Sequence, residues 1–93
     1  MSYELRFKEE ALNEWRRLDA MIREQFKRKL AERLVMPQVP SARLSGHPHR
    51  YKIKLRASGF RLVYEVREQE IVVVVIAVGK RERNAVYKAA AGR

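Results

Sequence analysis

The sequence predicts an α+β fold in the order strand, two helices, three-stranded antiparallel meander, short helix. Three observations carry that prediction. Apolar residues recur at helical spacing from Ala11 to Leu34. All three prolines fall between Met36 and His49. Beyond that stretch, apolar and charged residues alternate with a period of two.

The opening "YELRF" alternates apolar and polar at Tyr3, Leu5 and Phe7, so it reads as the first strand. In "KEEALNEWRRL", Ala11, Leu12, Trp15 and Leu18 share one helical face, with Glu9 and Glu10 at the start, where the helix dipole favours them. Asp19 suits the N-cap of a second helix, in which Ile22, Phe26, Leu30 and Leu34 recur every fourth residue until Pro37 ends it. The two form a helical hairpin whose Arg- and Lys-rich faces read as solvated surface. "MPQVPSARLSGHPH" is a loop leading into the second half. Strands follow over about 51–55, 60–67 and 71–78, joined by the turns "RASG" and "REQE". The last strand is apolar almost throughout, which predicts a strand covered on both faces or central in the sheet. "GKRERNAVYKAAA" turns at Gly79 into a short Ala-rich helix.

A length of 93 residues predicts one domain over the whole span, 1–93, and 46% hydrophobic residues suffice for a packed core. The absence of cysteine excludes disulfides, thiolate metal sites and a thiol nucleophile, and suits a reducing cytoplasm. "MSYELRFKEE" lacks the apolar run of a signal peptide, and the apolar run over 71–78 is too short to span a bilayer. Charge is the most pronounced compositional signal. Lys and Arg number 21 against 11 Asp and Glu, a net charge of +10 that attracts polyanions. From Arg43 onward the sequence holds 12 basic and 4 acidic residues, so the cationic function belongs to the second half.

The register of the first hairpin follows from the pattern. In "YKIKLR", Tyr51, Ile53 and Leu55 oppose Lys52, Lys54 and Arg56 across the strand. A four-residue loop, 56–59, pairs Leu55 with Phe60, Ile53 with Leu62 and Tyr51 with Tyr64, which puts every apolar residue on one face. A three-residue loop would mix the faces along the whole strand. The first register sets Lys54 opposite Arg61 with Lys52 one step along. Facing like charges cost up to about 1 kcal/mol, so a merely solvated face would do better with mixed charge. The plain alternative is an edge kept soluble by lysine. An anion-binding face explains the repulsion better.

Most catalytic groupings are missing. His47 and His49 sit two apart in the loop without an acidic or histidine partner at ligand spacing, so they read as loop residues near solvent, with no metal site expected. No Ser/His/Asp arrangement and no Gly-rich phosphate loop is present. What remains is Lys, Arg and Tyr, which suit phosphodiester chemistry. Arginine binds phosphate bidentately and stabilises charge growing on phosphorus. A lysine crowded by cations has a lowered pKa and becomes a general base or acid. "GKRERNAVY" adds Lys80, Arg81, Arg83 and Tyr87 just past the last strand. Alone, these features indicate nucleic-acid binding.

"ALNEWRRLD", "LSGHPHRYKIKLRASGFRLVYEV" and "VGKRERNAVY", in this order and spacing, resemble the RelE toxins of bacterial toxin–antitoxin modules over nearly the whole chain. The resemblance implies a small antiparallel sheet with two N-terminal helices packed on it and a short C-terminal helix. It implies a ribosome-dependent, metal-independent endoribonuclease without cofactors. Such toxins cut messenger RNA in the A site of the 70S ribosome by attack of the ribose 2′-hydroxyl on its own 3′ phosphate, with little activity on free RNA. By resemblance, Lys52 and Lys54 serve 2′-hydroxyl activation and the charged transition state, and Arg61 holds the phosphate. Arg81 stabilises the leaving oxygen, and Tyr87 stacks on the displaced base. Arg50, Arg56, Lys80 and Arg83 are the expected RNA or ribosome contacts. Ser45 departs from family members that read "LRG", which removes one phosphate contact. The implied partner is an acidic RelB-like antitoxin that wraps the toxin and displaces the final helix. Operator DNA is reached only through that complex. Two alternatives stand beside this: a ParE-like gyrase poison, which would lack the Lys/Lys/Arg/Arg/Tyr set, and a non-catalytic basic RNA-binding module.

Overall fold

The structure is a computed structural model, and it describes residues 2–93. The elements are β1 (Glu4–Phe7), α1 (Glu9–Arg16), α2 (Ala20–Val35), a single 3-10 turn (Pro40–Ala42), β2 (Arg50–Leu55), β3 (Phe60–Arg67), β4 (Val72–Lys80) and α3 (Ala85–Ala91). Their order is the one predicted. Glu9 and Glu10 occupy the first turn of α1. Asp19 flanks α2 at the N-cap, although its side chain makes no capping bond. β4 begins at Val72 rather than 71. Ile71 is in the turn instead, at φ 56, and its N–H donates to the Glu68 carbonyl at 3.2 Å.

The strands form one sheet in the order β1-β4-β3-β2. The meander β2-β3-β4 is antiparallel, and the β2–β3 register is the predicted one: Leu55 faces Phe60, Ile53 faces Leu62, Tyr51 faces Tyr64 and Lys54 faces Arg61. Gly59, at φ 78, closes the four-residue turn, donating to the Leu55 carbonyl at 2.9 Å. β1 corrects the wholly antiparallel expectation, because it pairs with β4 in parallel. The helical return causes this. α2 ends beside the start of β1, where the Tyr3 N–H donates to the Leu34 carbonyl at 2.8 Å. The chain is thereby back at the starting end of the sheet before β2 begins, so β1, β2 and β4 all run the same way.

One face of the sheet packs on the helical hairpin. Trp15, Phe26 and Leu30 meet Ile53, Leu62, Tyr64, Val73 and Val75 there. The rings of Phe7 and Trp15 lie 5.2 Å apart, and those of Trp15 and Phe26 6.3 Å. The other face carries Val63, Val74, Ile76 and Ala77 under Val86 and Ala90 of α3. β4 is therefore central and covered on both sides, which explains its unbroken apolar run.

A β-bulge interrupts the β3–β4 ladder. Val63 pairs with Ala77 but Tyr64 pairs with Val75, leaving Ile76 extra. An extra residue reverses which side chains face which way. Val72 and Val74 face α3, yet Val78 belongs to the opposite core. Beyond the bulge the odd-numbered residues of β4 therefore take the α3 side.

Candidate nucleic-acid interface

The α3 side of the sheet builds the site from its strands outward. β2 presents Lys52 and Lys54 there, because Tyr51, Ile53 and Leu55 are committed to the hairpin-side core. Arg61 lies opposite Lys54 on β3, and Gly79 of β4 lies beside Arg61. The bulge then directs Arg81 to this face. The Arg81 N–H donates to the Gly59 carbonyl at 2.7 Å, which fixes the backbone at that point. α3 packs on the sheet at Gly79, where a Cβ would just touch Val86 Cγ2 at 3.4 Å, and Tyr87 follows Val86 on the same helix.

The result is an open cleft of about 430 Å³ whose wall includes Lys52, Lys54, Arg61, Arg81 and Tyr87. No carboxylate lines it. Such a cleft concentrates positive potential and draws in a polyanion. Arg61 is 4% exposed. Its Nη1 donates to the Phe60 carbonyl at 3.0 Å, while its buried Nε has no hydrogen-bond partner. An unpaired buried donor costs about 1–3 kcal/mol, so the fold alone gives no reason to keep it. Lys54 has its pKa lowered, first by the charge of Lys52, then by desolvation, then by Arg56, Arg61 and Arg81.

All five expected catalytic residues thus share one cleft. The expected docking residues lie outside it. Arg56 borders a neighbouring groove that shares Lys54 with the cleft. Lys80 places its Nζ 5.8 Å from the Phe60 ring centroid, on the other side of the bulged strand from Arg81. Arg83 is exposed at φ 50. Arg50 is engaged within the fold: its Nε pairs with Glu65 Oε2 at 3.0 Å and its Nη1 donates to the Ala90 carbonyl at 2.6 Å. Burial works to raise the Glu65 pKa, but hydrogen bonds from Arg67 and Arg50 outweigh it, so the carboxyl titrates below its ordinary range. Arg93 is held likewise, its guanidinium bonding Glu14 at 2.8 and 3.1 Å and the Ile76 carbonyl at 3.0 Å. Arg50 and Arg93 tie down the far end of α3.

Besides the apolar Leu44, two polar cleft residues were not anticipated. His47, read as a solvent-side loop residue, stands on the wall. The Leu44 N–H donates to the Arg50 carbonyl at 2.8 Å, and Arg43 bridges to Tyr51, so the loop folds back along β2. Asn84 also lines the wall, three positions before Tyr87 on the turn into α3. That spacing was the available signal. Among the described residues no group of His, Cys, Asp and Glu is arranged to hold a metal ion, and no helix is long and apolar enough to cross a membrane.

A four-stranded mixed sheet, backed by a helical hairpin and carrying a cation-lined cleft under a short helix, defines a small α+β protein whose chemistry suits an anionic ligand. Comparison with known proteins narrows that class. Residues 5–85 match the family described as ParE toxin of type II toxin-antitoxin system, parDE. The mRNA interferase toxin RelE of Escherichia coli K12 is 54% identical over 93 residues, covering all of this chain and 98% of the relative. An E. coli putative RelE-like toxin protein is 52% identical, again over all of this chain and 98% of the relative. A mutant of E. coli toxin RelE in the free state superposes with a TM-score of 0.92 at 52% identity, covering 100% of this chain and 98% of that one. The RelE of an intact E. coli RelBE toxin-antitoxin complex gives 0.85 at 54% identity, over 88% of this chain and 100% of its own. The chain belongs to the RelE/ParE family of toxins of type II toxin–antitoxin systems.

Proposed function

We propose that this chain is the toxin of a type II toxin–antitoxin module and an mRNA interferase: a ribosome-dependent endoribonuclease that stops translation by cutting messenger RNA in the A site. The observation that carries this reading is the joint placement of Lys52, Lys54, Arg61, Arg81 and Tyr87 in one cleft without carboxylates. The names of relatives about 54% identical over the full chain support it.

The chemistry needs no added group. The 2′-hydroxyl oxygen attacks the adjacent phosphorus, and the bond from phosphorus to the 5′-oxygen of the next nucleotide breaks. The products are a 2′,3′-cyclic phosphate and a 5′-hydroxyl. Lys54 is the better candidate to take the 2′-hydroxyl proton, since its neighbours favour its neutral form. Lys52 and Arg61 hold the phosphate as its charge grows, and the unpartnered Nε of Arg61 suits a phosphate oxygen. Arg81 stabilises the departing 5′-oxygen and assists its protonation to the 5′-hydroxyl, the proton coming from solvent water, and Tyr87 stacks on the displaced base. Exposed Arg56, Lys80 and Arg83 serve RNA or ribosome docking. Arg50 contributes there mainly by fixing α3.

The partner is an acidic RelB-like antitoxin, as in the solved RelBE complexes of relatives. Operator DNA is contacted only through that complex, and the work is done in the cytoplasm. Induced expression without antitoxin tests the proposal. Messenger breaks inside translated codons are expected, with 5′-hydroxyl ends downstream. Breaks spread equally into untranslated RNA would overturn ribosome dependence. Broken DNA with intact messenger would favour the gyrase reading.

A further inference from the structure

The cations of the cleft address phosphate, which is the same at every nucleotide. Tyr87 stacks on any base, because every base has a π-face. Neither a phosphate contact nor a stack tells one base from another. The remaining hydrogen-bonding groups on the wall are the side chains of Ser45, His47 and Asn84 and the Tyr87 hydroxyl. Of these, only the Asn84 amide presents a carbonyl acceptor and an NH2 donor side by side in one plane. That is the pattern that reads a base edge with two hydrogen bonds.

The local backbone singles out the same residue. Asn84 is the N-cap of α3, three positions before Tyr87. An asparagine there ordinarily turns its side-chain oxygen onto the free N–H groups of the first turn, from an extended backbone. Asn84 makes no such bond and is left-handed, at φ 59 and ψ 28. Arg83 before it is also left-handed, at φ 50. Asparagine tolerates this region, but Arg83 is uncommon there, and an outlier of this kind clusters at functional sites. The chain forgoes a cap at Asn84, which lines the same cleft as Tyr87.

We propose that Asn84 selects the base: its amide hydrogen-bonds the edge of the nucleotide that stacks on Tyr87, and this sets which codons are cut. The inference rests on the ribonuclease reading and adds a specificity residue to it. Asn84→Gly is the informative variant, since glycine keeps the left-handed backbone and removes only the amide. The readout is the ratio of breaks between codons within one variant, which a general loss of activity does not move. The wild-type chain is expected to prefer some codons. Asn84→Gly is expected to flatten that preference by about tenfold, the discrimination of one bidentate base contact. Asn84→Asp, which loses the NH2 donor, is expected to redirect it. An unchanged ratio in Asn84→Gly overturns the inference, as does a wild-type chain that cuts all codons alike. Complete loss of breaks in both variants also contradicts it, placing Asn84 in the chemistry and not in selection. Absence of messenger breaks from the wild-type chain would instead overturn the ribonuclease reading itself.

Discussion

The two faces of the sheet are built on opposite principles. The hairpin face is thick and aromatic, with Trp15, Phe26 and Leu30 packed against β-sheet residues and few polar interruptions. The α3 face has a thin apolar patch, Val86 and Ala90 on Val74, Ile76 and Ala77, and beyond it a row of like charges. Stability is concentrated on the first face. The second accepts repulsion around Lys54, an unpaired Arg61 Nε and a strained turn at 83–84. Structural liabilities gathered in one place are what the proposed polyanion site would leave uncompensated until its ligand binds.

Substitution can break this division in order of size. Phe26 is fully buried, so Phe26→Ala is expected to cost about 3–5 kcal/mol in chemical unfolding, enough to unfold much of so small a domain. Arg50→Ala removes a bond to the Ala90 carbonyl and a partner of Glu65. Its expected cost is about 2 kcal/mol, seen in hydrogen exchange as faster opening of α3 with the hairpin face little changed. Equal acceleration in α1 and α2 would show that the two faces are not separable. The smallest effect concerns pH. A base at Lys54 must be neutral, so cleavage should rise with pH through its lowered pKa. The same sign holds for stability, since repulsion around charged Lys54 is relieved as pH rises. Lys52→Gln removes the largest cause of the lowering. Its rising limb should shift to higher pH, toward the ordinary lysine value of 10.5. A limb that stays in place would take the proton transfer away from Lys54.

The hairpin face and the β2–β3 register were legible because period-two alternation rejects any one-residue slip, and the shortest loop compared that segregates Tyr51, Ile53 and Leu55 from Lys52 and Lys54 has four residues. The gathering of Lys54 and Arg61 followed from that register. Position 81 was different. β4 is apolar on both sides, so its sequence has no period against which an extra residue would show, and the bulge at Ile76 was invisible. Yet the bulge decides that Arg81, and not Lys80, reaches the cleft. The parallel pairing of β1 was equally silent, since a four-residue strand carries no signal of its neighbour. Arg50 read as a free cation because its partners, Glu65 and Ala90, are 15 and 40 residues away. His47 was hidden by the fold-back of its loop on β2.

Arg81→Ala tests the separation of the two faces most directly. The substitution lies in the cleft, outside both apolar cores. Messenger breaks and the unfolding midpoint are measured on the same variant. The expected result is cleavage reduced by about 10²–10³-fold, the loss seen when one transition-state donor is removed, with stability within about 0.5 kcal/mol of wild type. Full cleavage by a stably folded Arg81→Ala chain would contradict the account.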